Sequence, residues 1–195
     1  MKVVQIGSNR GDDSLSRFLK ANYTDLEFGL FVEPFSIHIE NLTKCYSAYN
    51  NVHIENIAIK SPFYKEDLLK LYYVDEDAHG NSEGTYQVTS CKPEHVTKHY
   101  SKPKEMKHFM SPCITLADLF FKYNIVELDW LLLDVEGIDA DIVMSFNWDN
   151  YNIKKVEIEH LHLGPHKDAV KSIFSQRGYT MAKSLSSFDW AFERK

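Results

Sequence analysis

The stretch VVQIGSNRGDD, Val3 to Asp13, decides how the rest of the chain reads. Val3, Val4 and Ile6 make a short apolar run of the kind found in buried strands, and Gly7 and Gly11 bracket a polar turn. Beyond the turn, SLSRFLKANY sets Leu15, Phe18 and Leu19 at helical spacing. Strand, glycine-rich turn and helix together form the first unit of a nucleotide-binding α/β domain. Glycine lets the backbone approach a ligand that a Cβ would push away. The helix behind it offers unpaired N–H groups and a positive dipole end. The spacing G-x-N-x-G differs from the dinucleotide fingerprint G-x-G-x-x-G, and a plain β-turn capped by Asp12 or Asp13 satisfies the same residues.

The next strand, LEFGLFVEP (Leu26 to Pro34), ends on Glu33. An acid there suits the βαβ spacing in which a carboxylate accepts from both hydroxyls of a ribose. Ser36 is expected to cap the helix carrying Ile39, Leu42 and Tyr46. VHIENIAI (Val52 to Ile59) reads as a third strand. Its end, Asn56, Ile57 and Ala58, would lie where an adenine ring stacks, although Asn56 suits a turn equally well. LKLYYVD (Leu69 to Asp75) reads as a strand that pairs with TYQVTS (Thr85 to Ser90) across the turn AHGNSEG. The polar segment from Lys92 to Pro112 reads as a short helix within a long loop, so residues 65–111 are expected to form a hairpin or lid inserted in the domain. His95, His99 and His108 lie in it as solvated loop histidines, with no metal role expected.

Regularity returns at Thr115, which forms a capping-box-like pair with Asp118 ahead of Leu116, Leu119, Phe120 and Tyr123. Trp130 to Leu133 is wholly apolar, as for a strand buried on both faces of a parallel sheet, and ends on Asp134, Glu136 and Gly137. A helix through Ile138, Ile142, Val143 and Phe146 follows. Lys154 to Gly164 is a fifth strand with acids and histidines massed at its end. Pro165 starts and Gly178 stops another helix, and YTMAKSL and FDWAFERK close the chain as two strands in hairpin-like proximity.

The chain has 195 residues, 44% of them hydrophobic and 26% charged, the composition of an ordinary globular domain with a sizeable core. A net charge of −6 and the lack of a long Lys/Arg cluster argue against a nucleic-acid partner. Cys45, Cys91 and Cys113 show no metal spacing, and their odd number suits reduced thiols in the cytoplasm. A strand beginning at position 2 leaves no room for a signal peptide, and no apolar run is long enough to span a bilayer. The same length is compatible with one domain of a larger multi-enzyme chain.

Four blocks give the chain a family resemblance. QIGSNRG matches D-I-G-A-N-x-G, FVEP matches an acidic second-strand end, ITLADLF matches T-L-D-D-L, and LLLDVEGIDADIV matches L-K-I-D-V-E-G-A-E. In these blocks, their order and their separation, the chain resembles the FkbM type of class I S-adenosylmethionine-dependent methyltransferase. The resemblance implies an α/β, Rossmann-like, mostly parallel sheet of seven strands in the order 3-2-1-4-5-7-6, the last antiparallel, with helices on both faces. It implies a single domain over residues 1–195, and O-methylation of a hydroxyl on a sugar, glycan or natural product. Two residues depart from the pattern. Gln5 replaces an acid, and Asp139 replaces the glutamate after the Glu-Gly pair.

On this resemblance, Gly7, Ser8, Asn9 and Gly11 hold the methionine and ribose portion of S-adenosylmethionine, Glu33 the ribose hydroxyls, and Asn56, Ile57 and Ala58 the adenine. The methyl faces Asp134, Glu136, Glu159 and His160, with Asp134, Glu136 and His160 as candidate bases and Asp134 also against the cofactor. Strand alternation puts Ile158, His160 and His162 on one face and Glu157 and Glu159 on the other, so His160 and Glu159 serve together only where the strand has ended. A second reading adds a divalent cation on Asp134, Glu136 and a histidine. A third is a non-catalytic cofactor-binding module that docks on a partner through residues 78–111. A nicotinamide enzyme is disfavoured, because the third glycine of its fingerprint is missing.

Overall fold

The computed structural model describes residues 1–74, 88–100 and 105–194. β1 (Lys2–Ile6) is the apolar run of the opening stretch, and α1 (Ser14–Asn22) follows the glycine turn, its first turn capped by Asp13, which accepts from the Ser16 N–H at 2.8 Å. β2 (Phe28–Val32), α2 (Ser36–Tyr46) and β3 (Val52–Glu55) continue the alternation. Ser36 is the first residue of α2 rather than its cap: Phe35 holds the cap position, with no side-chain hydrogen bond.

The later part of the alternation is α4 (Leu116–Lys122), β7 (Glu127–Leu133), α5 (Asp139–Ser145), β8 (Asn152–Glu159), α6 (Lys167–Ser175), β9 (Tyr179–Ala182) and β10 (Asp189–Arg194). Thr115 and Asp118 close a full capping box at the start of α4. The main sheet runs β3-β2-β1-β7-β8-β10-β9, and β10 is antiparallel to both of its neighbours. The joins among β3, β2, β1, β7 and β8 are parallel. Renumbered among themselves, these strands have the order 3-2-1-4-5-7-6 that the resemblance implies.

Alternation along the strands divides the core between the two faces of this sheet. Val3, Phe31 and Trp130 pack with Leu15 and Leu19 of α1 and Leu42 and Tyr46 of α2. Val4, Ile6 and Leu131 pack with Leu119 and Phe120 of α4, Val143 of α5 and Phe174 of α6. Each fully buried side chain of this kind stabilises the fold by ~1.5–3 kcal/mol. The parallel strands therefore all end on one side, in a crevice between the two helix layers.

A second sheet corrects three expectations. The run from Val52 to Ile59 is not one strand: β3 ends at Glu55, and β4 (Ala58–Ile59) leaves for a three-stranded sheet in the order β4-β6-β5. β5 (Leu68–Val74) pairs along its whole length with β6 (Met106–Ile114), a strand within the segment expected to be loop. Lysine, histidine and proline among the exposed positions of β6 hide its buried pair Ser111 and Cys113 from a reading of apolar alternation. Of the expected partner Thr85 to Ser90, positions 85–87 lie outside the described residues, and Ser90 makes a bridge to Tyr72. The turn AHGNSEG and Asp75 also lie outside them. The expected short helix is α3 (Pro93–Thr97), with a proline in its first turn. Among the described residues, no helix is long and apolar enough to cross a membrane.

Candidate active site

The glycine turn is fixed by its neighbours. The Gly7 and Ser8 N–H groups donate to the Val32 carbonyl at 2.9 and 3.0 Å. Gly7 has φ +80°, and a Cβ there would stand 1.7 Å from the Asp134 carbonyl oxygen. The first glycine is thus demanded by the meeting of the β1 and β7 tips. Gly11 (φ +76°) has no room for a Cβ beside Leu42, Cys45 and Tyr46, at 3.0–3.2 Å. Ser8 is buried, and its hydroxyl donates to the Gln5 carbonyl at 3.1 Å.

Glu33 is buried at the tip of β2. Its two carboxylate oxygens accept from the Asn9 and Phe35 N–H groups, each at 2.8 Å. Burial pushes its pKa up to about 7, against the pull of those two donors. Asn56 donates through its side-chain amide to the Glu33 and Pro34 carbonyls at 2.8 and 3.0 Å. It braces the backbone that presents Glu33.

A cavity of about 410 Å³ opens over these strand tips, within the range of about 300–1,000 Å³ usual for small-ligand sites. Gly7, Asn9, Glu33, Ile57, Ala58, Asp134 and Glu136 line it; Ser8, Gly11, Asn56 and His160 do not. β8 ends at Glu159, and the next residue turns out of the crevice. The His160 ring stacks on Trp190 with centroids 4.9 Å apart, and the His160 backbone N–H donates to the Phe188 carbonyl at 2.9 Å. Glu157 and Glu159, from the same strand, both face the cavity.

Acids crowd the opposite end. Asp134 lines the cavity. Burial, then Glu136, Glu159, Asp139 and Asp189, hold its carboxyl well above the usual range. Burial, then Glu136, Asp139 and Asp189, lift Glu159 to about 8, and burial with Glu157 lifts Asp189 to about 6. Glu136 has φ +54°, a left-handed backbone fixed from both sides. Ser90 donates to its carbonyl at 2.6 Å, and Asp139 accepts from the Val135 and Gly137 N–H groups at 2.9 and 3.2 Å. Asp139 therefore shapes the loop after β7 from beneath.

Two histidines complete this end. His95 contacts the Glu136 carboxylate at 2.7 Å, and His162 contacts Glu159 at 2.6 Å and Glu136 at 3.7 Å. Burial pushes the His162 imidazole down to about 4. Asp134 is not gathered with Glu136 and a histidine into a ligand set. Among the described residues the sets close enough to share an ion are His95–His99–His162 and Glu136–Glu159–His162.

Gln5, Asp13 and Asp189 also line the cavity, without being expected there. Gln5, at the position of the missing acid, donates its amide to Asp13 at 2.6 Å. Asp13 thus caps α1 and lines the cavity at once, while the Gln5 amide oxygen is buried without a hydrogen-bond partner. Asp189, from the antiparallel β10, reaches the cavity from the far side. The capping spacing signalled Asp13; nothing local signalled Asp189.

The fold resembles that of an FkbM methyltransferase from Methylobacillus flagellatus KT, with a TM-score of 0.54 at 12% identity over 98% of this chain and 42% of that one. Aeropyrum pernix fibrillarin, crystallised with natively bound S-adenosyl-L-methionine, matches at a TM-score of 0.45 and 9% identity over 98% of this chain and 64% of that one. The chain spans less than half the length of the first and just under two thirds of the second. No curated protein matches it. Residues 5–181 match the model of the methyltransferase FkbM domain, and the chain belongs to that family.

Proposed function

We propose that the crevice binds S-adenosylmethionine and that the protein methylates a hydroxyl of a sugar, glycan or natural-product acceptor. The observation that carries this reading is the asymmetry of the cavity: a buried, backbone-held Glu33 at one end and a crowd of carboxyls at the other. A ligand with ribose hydroxyls and a positive centre suits both ends. The Gln5 amide oxygen, buried and unpartnered, suits an ammonium donor. In this reading Gly7 and Asn9 hold the methionine portion, Glu33 accepts from the ribose, and Ile57 and Ala58 flank the adenine. Ser8, Gly11 and Asn56 act one step back, shaping the turn and the β2 tip.

When bound, the cofactor supplies a methyl group on a positively charged sulfur. The chain's own task is alignment, with reacting atoms about 3–3.5 Å apart, and removal of the hydroxyl proton, a contribution of about 10²–10⁴. Asp134 is the base in this reading. It lines the cavity, and its raised pKa brings it toward the operating pH. Glu136 is engaged by His95, and it orients rather than accepts the proton. His160, stacked on Trp190, supports the wall from outside.

Leu69, Leu71 and Cys91 bring the 65–111 insertion to the cavity wall, where it shapes the acceptor's entrance. The three free cysteines suit the reducing cytoplasm. The test is a crystal structure with S-adenosylhomocysteine, together with transfer of labelled methyl to a panel of glycans and hydroxylated natural products. The expected result is the nucleoside on Glu33 and label on an acceptor oxygen. Binding of the product elsewhere, or label on nitrogen or carbon alone, would overturn the reading.

A further inference from the structure

We propose that His95, His99 and His162 form a binding site for a transition-metal dication, zinc in the first place, with Glu136 and Glu159 orienting two of the three rings. One ring nitrogen from each histidine lies within 4.8 Å of the other two. Tetrahedral zinc, with bonds of about 2.0–2.1 Å, needs its nitrogens about 3.3–3.4 Å apart, so small side-chain adjustments close the site. The rings already pack together, with centroids 4.2 Å apart for His95–His162, 5.4 Å for His95–His99 and 5.6 Å for His99–His162.

Three observations favour a metal over a packed histidine cluster. His95 and His99 are separated by three residues, a spacing that zinc sites use to bring two imidazoles to one ion. Each of the two carboxylate contacts takes one nitrogen of its ring, His95 on Glu136 at 2.7 Å and His162 on Glu159 at 2.6 Å. This carboxylate–histidine arrangement is the one that fixes ring orientation behind metal ions. Finally, the nitrogen that His95 turns away from Glu136 already faces a cation: the Lys98 ammonium lies 3.1 Å from it. Lys98 is exposed and can swing aside. Imidazole donors select zinc, cobalt or nickel over magnesium.

The site ties α3 and the turn after it to the loop beyond β8, and it borders the cavity only through Glu136 and Glu159. It stands whether or not the crevice transfers methyl groups.

The test is cobalt(II) added to the untagged, chelator-stripped chain. The expected result is one equivalent bound per chain, with the strong visible bands of low-coordinate cobalt, displaced by zinc. His99→Ala and His162→Ala are each expected to weaken binding at least about 10–100-fold and Glu159→Gln about 10-fold, while Lys98→Met tightens it. His99 is reachable from solvent, so His99→Ala keeps its fold, checked by an unchanged circular dichroism melt. Absence of bound cobalt and zinc, or cobalt affinity unaltered by His99→Ala, would overturn the proposal. Neither readout depends on methyl transfer or on the nucleoside.

Discussion

The two ends of the crevice are built on opposite principles. At the β1–β2 end the groups around Glu33 are held within the chain: Glu33 takes two backbone donors, Asn56 holds its carbonyl, and the glycines fit against Asp134 and α2. At the β7–β8 end, Asp134, Glu136, Glu159 and Asp189 converge, and burial together with this crowding raises the pKa values of Asp134, Glu159 and Asp189. In the proposed reading, one end suits a neutral, hydroxyl-rich group. The other stores repulsion that a positively charged ligand relieves, which is the usual mark of a chemical rather than a structural site.

The largest expected effect breaks the β1–β2 end. Gly7→Ala drives a methyl group into the Asp134 carbonyl and forces an L residue to φ +80°, so a loss of at least about 3–5 kcal/mol is expected. Chemical denaturation reads it, and a native-like midpoint would show that the two strand tips can part. Asp134→Asn tests the β7–β8 end: turnover should fall about 10²–10⁴-fold with cofactor affinity nearly kept, measured by labelled methyl transfer. Full activity would remove Asp134 from the base role. Glu33→Ala should weaken S-adenosylhomocysteine binding about 100-fold in calorimetry, by loss of hydroxyl recognition in a buried site. Unchanged affinity would end the ribose assignment.

A smaller effect contrasts the ends through pH. Glu33, Glu159 and Asp189 have pKa values raised to about 7, 8 and 6, so the folded chain holds protons that the unfolded chain has released. Stability of the cofactor-free protein should therefore fall by several kcal/mol as pH rises from about 5 to about 8. The positively charged cofactor favours the ionised carboxyls, so its affinity relative to the uncharged-sulfur product should climb over the same window. A flat ratio would separate the acidic end from the cofactor's charge. The smallest expected effect is that of His160→Ala, about threefold or less on turnover, since its ring packs on Trp190 outside the cavity. A loss as large as that of Asp134→Asn would return it to the chemistry.

The sequence by itself determined the frame. Strand, glycine turn and helix from Val3 to Asn22, the acid closing β2, the capping box before α4 and the acids closing β7 are local patterns, governed by side-chain period and by the geometry of a single turn. Only the tertiary structure decided which residues face the crevice. The break after Glu55 sends β4 into another sheet, β6 is a strand because β5 lies beside it, and His160 leaves the site because β8 ends one residue before it. His95 and His162 meet across distant parts of the chain on carboxylates from two other strand tips, Glu136 and Glu159. Local spacing carries the direction of a side chain only while a regular element lasts. Beyond its end, packing against the rest of the chain sets that direction.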